Sequence, residues 1–129
     1  MTRHLSTEQV LSLHQRLTGM LSGDPGIRDL RALDAAVLRP TLVFGGQDLY
    51  PTLAAKAAAL LQGLVATTPF VAASSGTAAV AAECFLAANG RTLVAEDQDL
   101  AQLVAGVERG EMGIEAVSIW IAQRLERRG

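Results

Sequence analysis

The chain is short of the residues on which most enzymes and metal sites depend. Its single cysteine, Cys84, excludes a disulfide framework and a cysteine-based zinc site and fits a reducing cytosol. Two histidines, His4 and His14, are too few for a histidine metal cage, and Lys56 is the one lysine. Aromatics make up 4% of the 129 residues and isoleucine is scarce, so strand formers are thin. No apolar run reaches the ~18–20 residues of a membrane span, the longest candidates being broken by Lys56 and Glu83. At the N-terminus Arg3 and His4 lead straight into Ser6, Thr7 and Glu8, which is not the pattern of a signal peptide. With 11 basic residues against 13 acidic ones, the formal charge of -2 argues against direct nucleic-acid binding. There is no glycine-rich phosphate loop followed by lysine, no zinc-protease motif and no local Ser-His-Asp or Cys-His grouping. These absences point to a cytoplasmic chain that uses neither metal nor membrane.

What is present is alanine, leucine and the punctuation of helices. Half the residues are hydrophobic, and the length suits one domain over 1–129 with a core of its own. Ser6 with Gln9 makes a capping box, Leu5 and Val10 have the spacing of a hydrophobic staple, and Val10, Leu13 and Leu17 form the stripe of a first helix. Residues 22–26 read as a loop. Asp29 caps a short second helix with Leu30, Leu33 and Val37 inward, stopped by Pro40. Residues 41–50 read as a small β-hairpin turning at Gly45-Gly46, with a plain connecting loop as the alternative. Pro51 in a first helical position opens a third helix running to about Ala66.

A polar, small-residue stretch from Thr67 to Gly76 leads into a fourth helix, about Ser75 to Ala88, ending at Asn89-Gly90. That helix is apolar nearly all round, as suits one in the middle of a bundle, with Glu83 as the exception. Glu83 reads either as a group reaching solvent or as a buried functional carboxylate. A fifth helix spans about Glu96 to Glu108 on Leu100, Leu103, Val104 and Val107. A sixth spans about Ile114 to Arg127, burying Ile114, Val117, Ile121 and Leu125, with Trp120 on its flank. Arg124, Arg127 and Arg128 then complement its C-terminal dipole. His14 follows Val10 by four residues and reads as a half-buried structural histidine. The fold class is therefore mainly all-α: a six-helix bundle with one hairpin.

The order of segments is more specific than any generic motif. "RHLSTEQVLSLH" from Arg3, "GIRDL" from Gly26, "FGGQDLYPTLAAKAAALL" from Phe44, "TPFVAASSGTAAVAAECFLAANG" from Thr68 and "DLAQLVAGVERGEMGIEAVSIWIAQRL" from Asp99 follow one another. In this order they resemble the Fic/Doc family, in particular its short death-on-curing branch, over almost the whole chain. That family transfers AMP or phosphate from a nucleotide to a protein hydroxyl through a loop-to-helix motif, HPFxDGNKRT. Its histidine is the general base, its acidic residue holds magnesium, and its later positions cradle phosphates at a helix N-terminus.

Set against that motif, Pro69, Phe70 and Thr77 match and the working residues do not. Thr68 stands at the base position, Ala72 at the acidic one and Ala73 at the glycine. Ser74, Ser75 and Gly76 replace asparagine, lysine and arginine. A threonine hydroxyl does not ionise usefully near neutral pH, alanine offers magnesium no oxygen, and two phosphate-binding cations are gone. The resemblance thus implies a degenerate domain with no catalytic residue intact and no use for the ATP and magnesium of active relatives. Ser74, Ser75, Gly76 and Thr77 could still form an anion site with altered nucleotide or phosphate chemistry, or be a serine N-cap with a permissive glycine. The resemblance also implies that Val43, Phe44, Gly45, Gly46, Gln47 and Asp48 dock an extended peptide by strand addition, unless the hairpin merely packs on the fourth helix. An antitoxin-like small protein is the partner it implies; a relic with no present activity is the remaining alternative.

Overall fold

The computed structural model describes residues 1–128 and is built of six α-helices with two small antiparallel ribbons. The helices are α1 (Thr7–Leu21), α2 (Leu30–Leu38), α3 (Leu53–Thr67), α4 (Ser74–Ala88), α5 (Asp97–Glu108) and α6 (Ile114–Ala122). The ribbons pair β1 (Val43–Phe44) with β2 (Gln47–Asp48) and β3 (Arg91–Leu93) with β4 (Leu125–Arg127). Capping starts the first three helices. Ser6 and Gln9 form the reciprocal box on α1, Asp29 Oδ1 accepts from Ala32 N on α2, and Thr52 Oγ1 accepts from Ala55 N on α3.

The centre of the bundle is α3. Its face-independent alanine and leucine content fits a helix surrounded by neighbours, and Ala57, Ala58, Ala59, Leu61 and Leu64 are fully buried. Small residues allow close approach: a Cβ on Gly63 would stand 3.3 Å from Ala36 Cβ of α2. Packed on α3 and α4 are Val10, Leu33, Val117 and Ile121, with Phe70 and Phe85 as the largest core side chains.

Several sequence expectations need correction. The sixth helix stops at Ala122, and Leu125–Arg127 turn back as β4 with Leu93 opposite Leu125 and Arg91 opposite Arg127. Pairing with β3 outweighs three more residues of helix, so Arg127 and Arg128 are not a helix-end charge complement. Pro51 precedes the Thr52 cap and lies outside α3. Leu30, expected inward, is exposed at the first position of α2, and the buried face of that helix is Leu33, Ala36 and Val37. The hairpin forms around Gly45 and Gly46, both at positive φ, but does not pack on α4: β1 and β2 are exposed throughout. Its base is tied to α3, where the Lys56 ammonium donates to Asp48 Oδ2 at 2.9 Å and to the Tyr50 carbonyl.

Candidate functional site

Two segments far apart in the chain zip together at the entrance to α4. The backbone N–H groups of Arg28 and Asp29 both donate to the Pro69 carbonyl at 2.7 and 3.0 Å, and Val71 N–H donates to Gly26 C=O at 3.0 Å. Asp24 Oδ1 accepts from Gly26 N–H at 2.8 Å and shapes the turn that delivers them. The "GIRDL" and "TPFV" segments are thus one structural unit, with Ile27 bridged to Phe70.

From below, α1 fixes the loop. His14 is fully buried, not half-buried, and lies flat against Phe70 with ring centroids 3.7 Å apart. Its Nε2 is 2.8 Å from the Ala72 carbonyl, so the tautomer with the proton on Nε2 donates there, leaving Nδ1 without a partner. No spacing rule in the sequence brings residue 14 to residue 72; the helix-on-loop packing does. His14 serves the loop as a positioning group, enclosed away from the cleft above.

The loop itself keeps a strained shape. Three non-glycine residues have positive φ among the described ones, and two are here: Thr68 at 40° and Ala73 at 59°. Both are residues for which the left-handed region is costly, Thr68 above all because it is β-branched. Ala73 is also the N-cap of α4 and supplies no side-chain cap, which corrects the expected serine cap. Ser74 is instead buried, its Oγ accepting from Phe70 N–H at 3.3 Å. The first N–H groups of α4 therefore have no capping side chain.

Above the loop lies a cleft of about 250 Å³ lined by Arg28, Thr68, Phe70, Ala72, Ser74 and Ser75 among others. Thr68 is exposed, and Arg28 Nη1 approaches its Oγ1 at 3.4 Å. Arg28 is the cation on this cleft and was not singled out by sequence reasoning; its place in "GIRDL" was the available signal. Of the other expected site residues, Gly76 lies on the rim of the neighbouring cavity between α4 and α5. Thr77 is turned into the core with Oγ1 unpartnered, so it cannot serve an anion at the cleft. Glu83 is exposed, the solvent-reaching alternative; burial and the nearby Asp97 hold its carboxyl above the usual range.

A family profile described as "Fic/DOC family" matches residues 4–86. The chain belongs to the Fic/Doc family. A relative described as "Toxin Doc" from Mycolicibacterium smegmatis (strain ATCC 700084 / mc(2)155) is 43% identical over 103 residues, covering 79% of this chain and 77% of that protein. The match spans the loop at 68–73 and the start of α4. No helix among the described residues is long and apolar enough to cross a membrane.

Proposed function

We propose that this Fic/Doc domain is catalytically silent and acts by binding a peptide or small protein. The observation that carries this reading is the motif loop. Its backbone is shaped for the family's chemistry, with Ala73 in the left-handed conformation that glycine suits, while its side chains lack that chemistry. Thr68 faces solvent where a base would stand, and Ala72 offers no oxygen ligand. One guanidinium, Arg28, borders the cleft where a nucleotide triphosphate would need several cations. The residues present do not fit a magnesium nucleotide, and no transfer step is derived through one.

The binding side of the reading rests on the hairpin. Val43 and Phe44, the two residues of β1, are 60% and 81% exposed, and β1 pairs only with β2, leaving a free edge that suits addition of an extended peptide. Lys56 anchors the hairpin base from α3. The resemblance of this chain to a Toxin Doc supports a small antitoxin-like protein as that partner and a cytoplasmic setting.

A second reading, altered phosphate chemistry at the α4 entry, narrows from residues 74–77 to Ser74 and Ser75 and draws on the uncapped N-terminus of α4 beside Arg28. Calorimetry separates the two. The silent reading expects no heat of binding with millimolar ATP, with or without magnesium, or with inorganic phosphate. Saturable binding that is lost on Arg28→Ala would favour the second.

A further inference from the structure

The ribbon of β3 and β4 carries a charge that the bundle does not use. Pairing sets Arg91 directly opposite Arg127, and the backbone N–H of Arg128 donates to the Gly90 carbonyl at 3.1 Å. Three arginines therefore crowd one end of the ribbon. Directly opposed residues project from the same face, and like charges so placed disfavour the pairing. Glu126, the acid of the ribbon, pairs with Thr92 and so stands on the other face from Arg91 and Arg127.

No carboxylate among the described residues answers these cations, where the ion pairs are Lys56–Asp48 and Arg109–Glu111. Arg91 Nη1 has a long contact of 3.4 Å with the Gly90 carbonyl. Arg124, before the far end of the ribbon, is different: it lies over the Trp120 ring at 4.0 Å and donates to the Trp120 carbonyl. A hollow of about 310 Å³ beside the ribbon is lined by Arg91 and Arg128, with Glu83 on its α4 wall. A small anion in that hollow would meet the Glu83 carboxylate. The open direction for negative charge is outward, where Arg127 and Arg128 are exposed. The formal charge of -2 hides this end of the molecule, because it averages the ribbon with acids elsewhere.

We infer that the ribbon end grips the phosphodiester backbone of duplex DNA through Arg91, Arg127 and Arg128. Single strands are held on aromatic platforms; the ribbon has none, and one face of the nearby Trp120 is covered by Arg124. A two-stranded ribbon fits the major groove of B-form DNA, whereas that of A-form RNA is too narrow. The arginines flank Gly90 and Thr92, which offer a membrane no apolar anchor. Contacts of this kind place a chain on the duplex without reading its sequence. The ribbon shares no residue with the hairpin or the motif cleft, so failure of either reading leaves the other standing.

The probe is a fluorescein-labelled DNA duplex of about 20 base pairs, titrated with the full chain and followed by anisotropy. Saturable binding is expected at low salt. With three phosphates neutralised, log K should fall against log salt with a slope of about -2.7, roughly 40-fold between 50 and 200 mM. Combined Arg127→Gln and Arg128→Gln should reduce the slope to about -0.9, a fall of roughly 3–4-fold over the same range. Arg127→Lys with Arg128→Lys should restore it, and Arg31→Gln, at an exposed position on α2, should change nothing; circular dichroism confirms that the variants fold. Absence of saturation at millimolar chain in 50 mM salt overturns the inference, as does a slope indifferent to Arg127 and Arg128. Equal or tighter binding of the single strand, or of phosphatidylserine vesicles through the same arginines, would assign the ribbon to that ligand and also overturn it.

Discussion

The tie between Lys56 and the hairpin base makes an asymmetric prediction. The Lys56 side chain is 4% exposed and that of Asp48 is 56% exposed. Replacing Asp48 by alanine leaves a buried ammonium with the Tyr50 carbonyl as its remaining partner. Breaking a fully buried pair costs roughly 3–5 kcal/mol; Asp48 is half in water, so screening reduces the expectation to about 2 kcal/mol. Replacing Lys56 by methionine forfeits two charge-assisted hydrogen bonds, about 1.5–3 kcal/mol each. It also removes a desolvation penalty of several kcal/mol, and Asp48 turns to solvent, so the net loss is about 0–2 kcal/mol. The exposed partner is thus the costlier one to delete, and the double variant should be no worse than Lys56→Met alone. Urea unfolding of the three variants measures the energies, and amide exchange at Val43 and Phe44 reports whether the hairpin loosens. A Lys56→Met loss above about 3 kcal/mol with Asp48→Ala near zero would refute the reasoning. It would mean that the ammonium's bond to the Tyr50 carbonyl, rather than its pairing with Asp48, holds the hairpin.

Three further outcomes are expected. Ala73→Gly should stabilise the fold by about 0.5–1 kcal/mol in thermal unfolding, because the residue sits at a φ of 59° and the relief exceeds the added chain entropy. His14→Phe keeps a ring against Phe70 but leaves the Ala72 carbonyl without its donor, and should cost about 1–3 kcal/mol while speeding amide exchange in the 68–74 loop. Glu83→Gln should raise stability at pH 7 by under about 1 kcal/mol. The folded-state carboxyl is raised, so its contribution is full below the unfolded pKa and lost as pH rises through the folded value. The gain from the glutamine should therefore vanish in acid, below the usual glutamate range.

The bundle was legible because its signals are local. Ser6 with Gln9, Asp29 and Asn89-Gly90 mark ends that depend on residues within a turn, and all three sit at helix termini. The C-terminal ribbon was not legible, since Leu125 to Arg127 have a helical pattern that only the distant partner Arg91–Leu93 overrides. In the site, the motif alignment located the loop, yet two of its main supports were invisible. His14 lies under Ala72 through packing of α1, and Arg28 enters the cleft through backbone bonds to Pro69. The α4 start shows the same limit: a serine was the natural cap by composition, but the left-handed turn placed Ala73 there and buried Ser74.

Silence of the motif is tested most directly by label transfer. The purified chain is incubated with magnesium, a cell lysate and ATP labelled in turn at the α and the γ phosphate. The account predicts no labelled protein beyond the lysate control. It predicts labelling from a variant carrying Thr68→His, Ala72→Asp, Ala73→Gly, Ser74→Asn, Ser75→Lys and Gly76→Arg. Leu17→Ala should accompany these, because a Cβ at residue 76 would meet Leu17 Cδ2 at 2.9 Å. Transfer of either label by the unaltered chain, lost when Thr68 is replaced by alanine, would contradict the account.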